Sequence, residues 1–300
     1  MIRTIRGFVP SPLPDSIPMP AAEPPPGMDI VAVPTGVTKH VAAFGYRGGS
    51  PFERRDFNIG SVLIKHPRGD LLVDSGFGRD IDRQFTTMPR WFRRMTRYEL
   101  WNPVRDQLAA AGYDFGRLSG ILLTHAHWDH VSGLPDFADV PVLVSAREQV
   151  AFRREGTPGY FGAPFRDMSF RWRALEFDGG PYLGFPRSRD IHHDGTVVCV
   201  PAPGHTPGSV IVFVTLPANV RYCLVGDLVW QREGLSMLAE RPALVRKFAD
   251  WDADGTRHNL VRMASVIRRI PNMIIVPAHD QRAVGEIGVL PNITTAGRIP

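Results

Sequence analysis

The chain has 300 residues, 43% of them hydrophobic and 22% charged, with a formal net charge of +5. This is ordinary globular composition with material for a large core, and a single domain of this size is as reasonable as two. No apolar run approaches the roughly 18 residues of a membrane span, and the modest charge, without a long basic run, reads as a solvated surface rather than a nucleic-acid footprint.

Arg3 and Arg6 precede a proline-rich stretch, not a continuous apolar segment, so no secretory signal is expected and the protein is placed in the cytoplasm. Nine prolines fall between residues 10 and 34. Such a segment can neither form a helix nor pair as a central strand. Residues 1–28 are therefore read as an extended arm, packed on the body, disordered, or lent to a second subunit in a homodimer. Residues 29–300 are read as one domain.

Short strands follow at 29–33, 38–46, 61–65 and 70–73, the last two forming a hairpin about Pro67-Arg68-Gly69. The second hairpin strand runs into Asp74-Ser75-Gly76. Residues 77–100 are rich in arginine and aromatics, among them Phe85, Arg90, Trp91, Phe92, Arg93, Arg94, Arg97 and Tyr98. They form either a lid or a surface helix with snorkelling side chains. A helix with Asn102 as its cap, Pro103 in its first turn and Gly112 at its end then leads to a β-favouring run, Ile121 to Thr124.

Directly after that run the chain reads His125-Ala126-His127-Trp128-Asp129-His130. Three of the chain's ten histidines lie within six residues. Imidazole nitrogen and carboxylate oxygen are the donors that zinc and related divalent ions favour, and a tight loop lets His125 and His127 converge while Asp129 and His130 turn elsewhere. Beyond it come a strand at 140–145, a helix at 146–153, and a second aromatic insertion near 153–175. There Tyr160, Phe161, Phe165, Phe170 and Trp172 alternate with glycines and prolines. This insertion is read as a wall of a substrate site or as a loop packed on itself.

Three strands at 196–201, 209–215 and 221–225 follow. Pro203-Gly204-His205 sits between the first two and Gly226-Asp227 after the third. Cys199 and Cys223 lie inside these strands as small apolar residues, and no disulfide is expected. Two helices are expected next, the second bearing Leu260, Met263, Ala264, Ile267 and Ile270 at core spacing. A last strand at 273–276 ends at Pro277-Ala278-His279-Asp280. His40, His66, His192, His193 and His258 have no metal spacing to this set, and the pair His192-His193 reads as surface loop.

In this order, over residues 58 to 281, these motifs resemble the metallo-β-lactamase superfamily. The resemblance implies an α/β fold, a four-layer αββα sandwich of two mixed sheets flanked by helices. It implies two divalent metal ions, zinc by preference, with His125, His127 and His205 on one, Asp129, His130 and His279 on the other, and Asp227 bridging both. It further implies a hydroxide shared by the two ions that attacks an ester-like carbonyl, Asp129 handling the proton, and Asp74 orienting a ligand. Lactamases of the superfamily usually lack the bridging aspartate, so Asp227 points to the branch of lactonases, thioesterases and phosphoesterases. Within it the chain is most similar to the N-acyl homoserine lactonases, with thioesters, aryl esters or phosphotriesters as the alternative. The expected partner is a small ester or lactone, with no nucleic acid and no membrane. At the place where those lactonases commonly carry a tyrosine, three residues after the bridging aspartate, this chain has Trp230.

Overall fold

Valine-rich strands buried on both faces need cover on both sides, and that need generates the layers. The computed structural model describes residues 11–154 and 159–290. Residues 1–10 of the expected arm, Gly156 and Pro158 of the second insertion, and residues 291–300 lie outside them.

Seven strands form the first sheet: β1 (Asp29–Val41), β2 (Arg54–Lys65), β3 (Asp70–Val73), β4 (Tyr98–Leu100), β5 (Leu118–Leu122), β6 (Val142–Val144) and β7 (Trp172–Ala174). Their order is β4-β1-β2-β3-β5-β6-β7, antiparallel up to β3 and parallel from β3 onwards. The second sheet contains β8 (Arg189–Asp190), β9 (Val197–Pro201), β10 (Val210–Leu216), β11 (Val220–Gly226) and β12 (Ile274–Pro277). Here the order is β12-β11-β10-β9-β8, with β12 parallel to β11.

The period-2 rule sorts each strand between two cores. Along β1, Ile30 and Ala32 enter the core between the sheets, while Val31 and Val33 point to the outer helices. Along β10, Val210, Val212 and Val214 face the first sheet, and Ile211 and Phe213 pack under the helix Ala253–Arg269. The result is helices, sheet, sheet, helices, the sandwich expected from the resemblance.

Several local expectations change. The first two expected strands are one, because β1 continues through a register shift between Pro34 and Gly36. It stops at Val41, where β2 ends as partner, and Ala42–Gly45 closes into a helical turn that carries Phe44 towards Trp230. The helix after Pro103 spans Val104–Ala110 without a side-chain cap, so Asn102 does not play the expected role. Cys199 and Cys223 are both free and buried, with β10 lying between their strands. From Leu13 the arm is laid on the body: Leu13 is buried in the second sheet's outer core, and the Glu23 N–H donates to the Asp194 carbonyl at 2.8 Å. His192 is not a surface residue; it is buried and stacked on His66 with ring centroids 3.9 Å apart.

The insertion at 77–100 divides into helices Ile81–Phe85 and Arg90–Met95 before β4. Phe85 and Phe92 pack about Trp128, at 5.1 and 5.9 Å between ring centroids. In the second insertion Tyr160, Phe161 and Phe165 are buried in the same core, with Phe170 and Trp172 against it. The packed-loop reading accounts for these aromatics.

Candidate metal centre

Four strands from the two sheets, β5, β9, β11 and β12, end at one edge of the sandwich, and every expected donor lies just beyond one of those ends. His125 and His127 follow β5, the helical turn Trp128–Val131 presents Asp129 and His130, His205 follows β9, Asp227 follows β11 and His279 follows β12. All seven predicted site residues come together. Their ligand atoms form three groups, His125/His127/His205, His125/His130/Asp227 and Asp129/His130/His279, with the atoms of each group within 4.8 Å of one another.

Asp227 occupies the middle. Its Oδ1 lies 3.1 Å from His279 Nε2 and 3.4 Å from His130 Nε2, whereas its Oδ2 lies 3.3 Å from His205 Nε2 and 3.9 Å from His125 Nε2. Asp129 closes the second group, its Oδ2 3.5 Å from His279 Nε2. His279 Nε2 also lies 3.2 Å from Oδ2, so the one carboxylate stands among imidazoles of both triads.

Four of the five imidazoles, all but His127, have a polar partner on the outer nitrogen that can orient the ring. His130 Nδ1–H donates to Asp74 Oδ2 at 2.8 Å, and His279 Nδ1–H donates to the Asn58 carbonyl at 2.8 Å. His205 Nδ1–H donates to Asp250 Oδ1 at 3.2 Å. His125 Nδ1 faces Thr124 Oγ1, which itself donates to Asp74 Oδ2. Asp74 also accepts from the Thr124 N–H at 2.7 Å, and it does so from a left-handed backbone with φ of 59°. A non-glycine residue in that region is strained, and here the strain aims the carboxylate at the metal loop.

Burial pushes the His125 and His127 imidazoles well below their ordinary range, which keeps them neutral. Burial alone would raise the Asp227 carboxyl, but His279, His130 and His125 hold it well below the usual carboxylate range. Asp129 shifts the other way: burial raises its carboxyl.

The donor set fits divalent metal. His125 Nε2, His130 Nε2 and Asp227 Oδ1 are buried without a hydrogen-bond partner, a costly state that a cation relieves. His205 Nε2 and His127 Nδ1 face each other across 2.9 Å, so two potential donor nitrogens of the first triad converge on one place. Imidazole and carboxylate together suit zinc, iron, manganese or cobalt.

The positioning residues that motif reading did not find are polar and buried. Glu148, wholly buried, accepts from the Ala126 N–H (2.8 Å) and Tyr160 Oη (2.8 Å) through Oε1, and from Thr206 Oγ1 (2.7 Å) and the Gly208 N–H (2.9 Å) through Oε2. It therefore ties the 125–127 loop, the 205–208 loop and the aromatic insertion together. Ser145-Ala-Arg-Glu148 has the form of a capping box, and Ser145 does cap the helix Ala146–Phe152, but the glutamate turns inward instead. Arg241, also buried, donates to Asp250 Oδ1 at 2.7 Å and to the Asp227 carbonyl. Its guanidinium lies 4.5 Å over the Trp230 ring. At Gly159, whose φ is +84°, a Cβ would lie 2.7 Å from His127 Cδ2, so a side chain there would displace a donor.

Trp230 stands beside the centre, and its Nε1–H donates to Asp227 Oδ2 at 2.7 Å. The indole's only donor is thus spent on the central carboxylate.

Residues 54–279 match the metallo-β-lactamase superfamily. The chain is 30% identical over 238 residues to a probable metallo-hydrolase of Mycobacterium tuberculosis, covering 73% of each chain. It is 29% identical over 177 residues to the N-acyl homoserine lactonase AttM of Azorhizobium caulinodans, covering 56% of this chain and 64% of that one. The fold is similar to that of an N-acyl homoserine lactone hydrolase solved with N-hexanoyl-L-homoserine at its catalytic metal centre. That match has a TM-score of 0.70 at 18% identity and covers 87% of this chain and 97% of the other.

Proposed function

Because this chain belongs to the metallo-β-lactamase superfamily and is a metal-dependent hydrolase, we propose that it works with two ions and opens an ester-like carbonyl, a lactone of the N-acyl homoserine type. His125, His127 and His205 would hold one ion and Asp129, His130 and His279 the other, with Asp227 between them. The observation that carries this reading is the place of Asp227, whose carboxylate lies 3.1 Å from His279 of one triad and 3.3 Å from His205 of the other. The likeness to AttM supports the lactone as substrate class.

Bound divalent ions of this kind supply a water activated near neutral pH and a Lewis acid for the carbonyl. The protein's own groups do the rest. Asp74, Asn58, Asp250 and Thr124 hold the imidazoles in register, so little reorganisation accompanies the reaction. Asp129 sits at the rim of the cluster with a carboxyl raised by burial, suited to take a proton and return it to the leaving alkoxide. Neither cysteine serves as a nucleophile; burial pushes both thiols up.

The test is a hydrolysis panel of lactones, thioesters, aryl esters, phosphotriesters and β-lactams on metal-replete protein. Lactones or activated esters are expected to give the highest kcat/KM. A β-lactam turned over best would overturn the assignment.

Trp230 supplies a second check. Trp230→Phe keeps the ring beside Phe44 but removes the N–H from Asp227 Oδ2. Loss of such a partner is expected to loosen metal retention about ten- to a hundredfold. At saturating metal, kcat should change by less than about tenfold, or roughly 1.4 kcal/mol of barrier. Chelator competition reads the first quantity and steady-state kinetics the second. A large kcat loss at full metal occupancy would mean that the indole serves the reaction itself.

A further inference from the structure

Two short helices, Arg90–Met95 and Ala243–Ala249, contain no buried residue. Phe92 packs on the core from the first of them, but a helix with no fully buried residue has little to hold it in water. Both nevertheless carry large apolar side chains four residues apart, Trp91 with Met95 and Leu244 with Phe248, so each pair occupies one helix face. The two faces meet, with the Trp91 and Phe248 rings 5.7 Å apart, and Trp251 is exposed one turn further on. Leu244 is 71% and Met95 70% exposed. Scattered apolar residues need no explanation, but a contiguous group of three aromatics, a leucine and a methionine does.

The patch borders the metal centre. Trp251 N–H donates to the His205 carbonyl at 3.0 Å, and Phe92, beside Trp91, packs on Trp128 of the metal loop.

On the two helices its charge is one-sided; Asp252 and Asp254, exposed beyond Trp251, are engaged as the cap of the next helix and with Arg257. Arg90, Arg93, Arg94, Arg97 and Lys247 are exposed, and among the described residues none has an ion pair or a side-chain hydrogen bond. Neither helix contains an acidic residue. Exposed Trp, Phe, Leu and Met ringed by unpaired Arg and Lys is the chemistry that enters the headgroup layer of an anionic bilayer, the apolar groups sinking in and the cations meeting phosphate.

We propose that this surface docks the protein on anionic phospholipid membrane, with the edge of the sandwich that carries the metal donors beside the lipid. A second copy of the chain fits less well, because it would bring an acid-free arginine cluster against its own like. Single-stranded nucleic acid would use the cations and rings but leave Met95 and Leu244 without a role. The absence of an apolar span led to no expected membrane partner; a surface anchor makes no such demand. The proposal uses the metal-centre reading only to say what faces the bilayer.

The experiment is co-sedimentation of the full chain, without substrate, with vesicles of phosphatidylcholine alone or mixed with phosphatidylglycerol, at low and raised salt. Binding is expected to the mixed vesicles, to weaken with salt, and to be nearly absent on phosphatidylcholine. Arg93→Glu with Arg94→Glu should lower partitioning by at least about tenfold, since each basic residue near an anionic surface is worth about fivefold. Leu244→Ser should lower it at unchanged charge. Unaltered thermal melts and unaltered hydrolysis of a water-soluble ester show that these variants are folded. Failure to sediment with anionic vesicles, or equal sedimentation of the double variant, would overturn the proposal. So would RNA binding abolished by these substitutions without vesicle binding, or a dimer in sedimentation velocity that Leu244→Ser dissolves. Vesicle binding is measured without turnover, so its failure stays distinct from failure of the lactone panel.

Discussion

Asp227→Ala is expected to leave a folded protein that retains about one metal equivalent and loses activity by on the order of a thousandfold or more, roughly 4 kcal/mol of barrier. The substitution removes the carboxylate that, among the described residues, faces both triads. His125/His127/His205 keeps three imidazoles and can still hold an ion, but Asp129/His130/His279 loses the carboxylate oxygen 3.1 Å from His279 and 3.4 Å from His130. It also loses the negative charge that, with Asp74, favours cations at this edge of the cluster. Asp227→Asn keeps the shape and the acceptor for the Trp230 indole but presents one oxygen where two are needed, so it should resemble the alanine variant in metal content. Elemental analysis after reconstitution, with kcat/KM on the best substrate of the panel, is the measurement. Two equivalents and near-normal turnover in Asp227→Ala would end the dinuclear reading.

Glu148→Ala should be the most destabilising single change near the centre, although Glu148 touches no predicted metal donor with its carboxylate. Four donors, the Ala126 and Gly208 N–H groups, Tyr160 Oη and Thr206 Oγ1, converge on it in a buried site. Stranding buried donors costs about 1–3 kcal/mol each, and losing the charged partner of such a network typically amounts to about 3–5 kcal/mol in all. For a chain of this size the melting temperature should fall by roughly 10 °C. Metal affinity should fall as well, because Ala126 lies between His125 and His127, and Gly208 closes the turn that carries His205. Glu148→Gln retains one acceptor oxygen and places an amide against the other donors, so it should fall between wild type and Glu148→Ala. Thermal denaturation of the metal-free and metal-loaded forms separates the two effects. An alanine variant of unchanged melting temperature would show that water replaces the carboxylate and that the network is dispensable.

The metal donors were legible because their order along the chain repeats the architecture. A β-run ends and His125 to His130 follows; a second ends and His205 follows; then Asp227 and His279 come in the same way. Which side chains of β1 and β10 face which core was not legible, because both strands are apolar on both faces. The boundaries were less legible. Thr38 to Tyr46 reads as strand throughout, yet β1 stops at the pair Val41 and Arg54 and Ala42–Gly45 turns helical, a change that these residues do not encode locally.

The sequence by itself determined the kind of donors at the site, since imidazole and carboxylate keep their metal preferences in any context, and its motif order carried the resemblance that implied the layered fold. Only the tertiary structure decided which partners fix those groups. Glu148 has the form of half a capping box, Asp250 is a polar residue between Phe248 and Trp251, and Trp230 stands where the lactonases carry a tyrosine; in space they serve the 125–127 loop, His205 and Asp227. The direction a buried polar side chain takes depends on which unpaired donor lies within about 3 Å of it. That donor comes from residues as far apart in sequence as Asp74 and His130, so no local pattern can announce it. Likewise, the exposed face shared by Trp91 and Phe248 exists only because two helices about 150 residues apart are brought to the same edge as the metal donors.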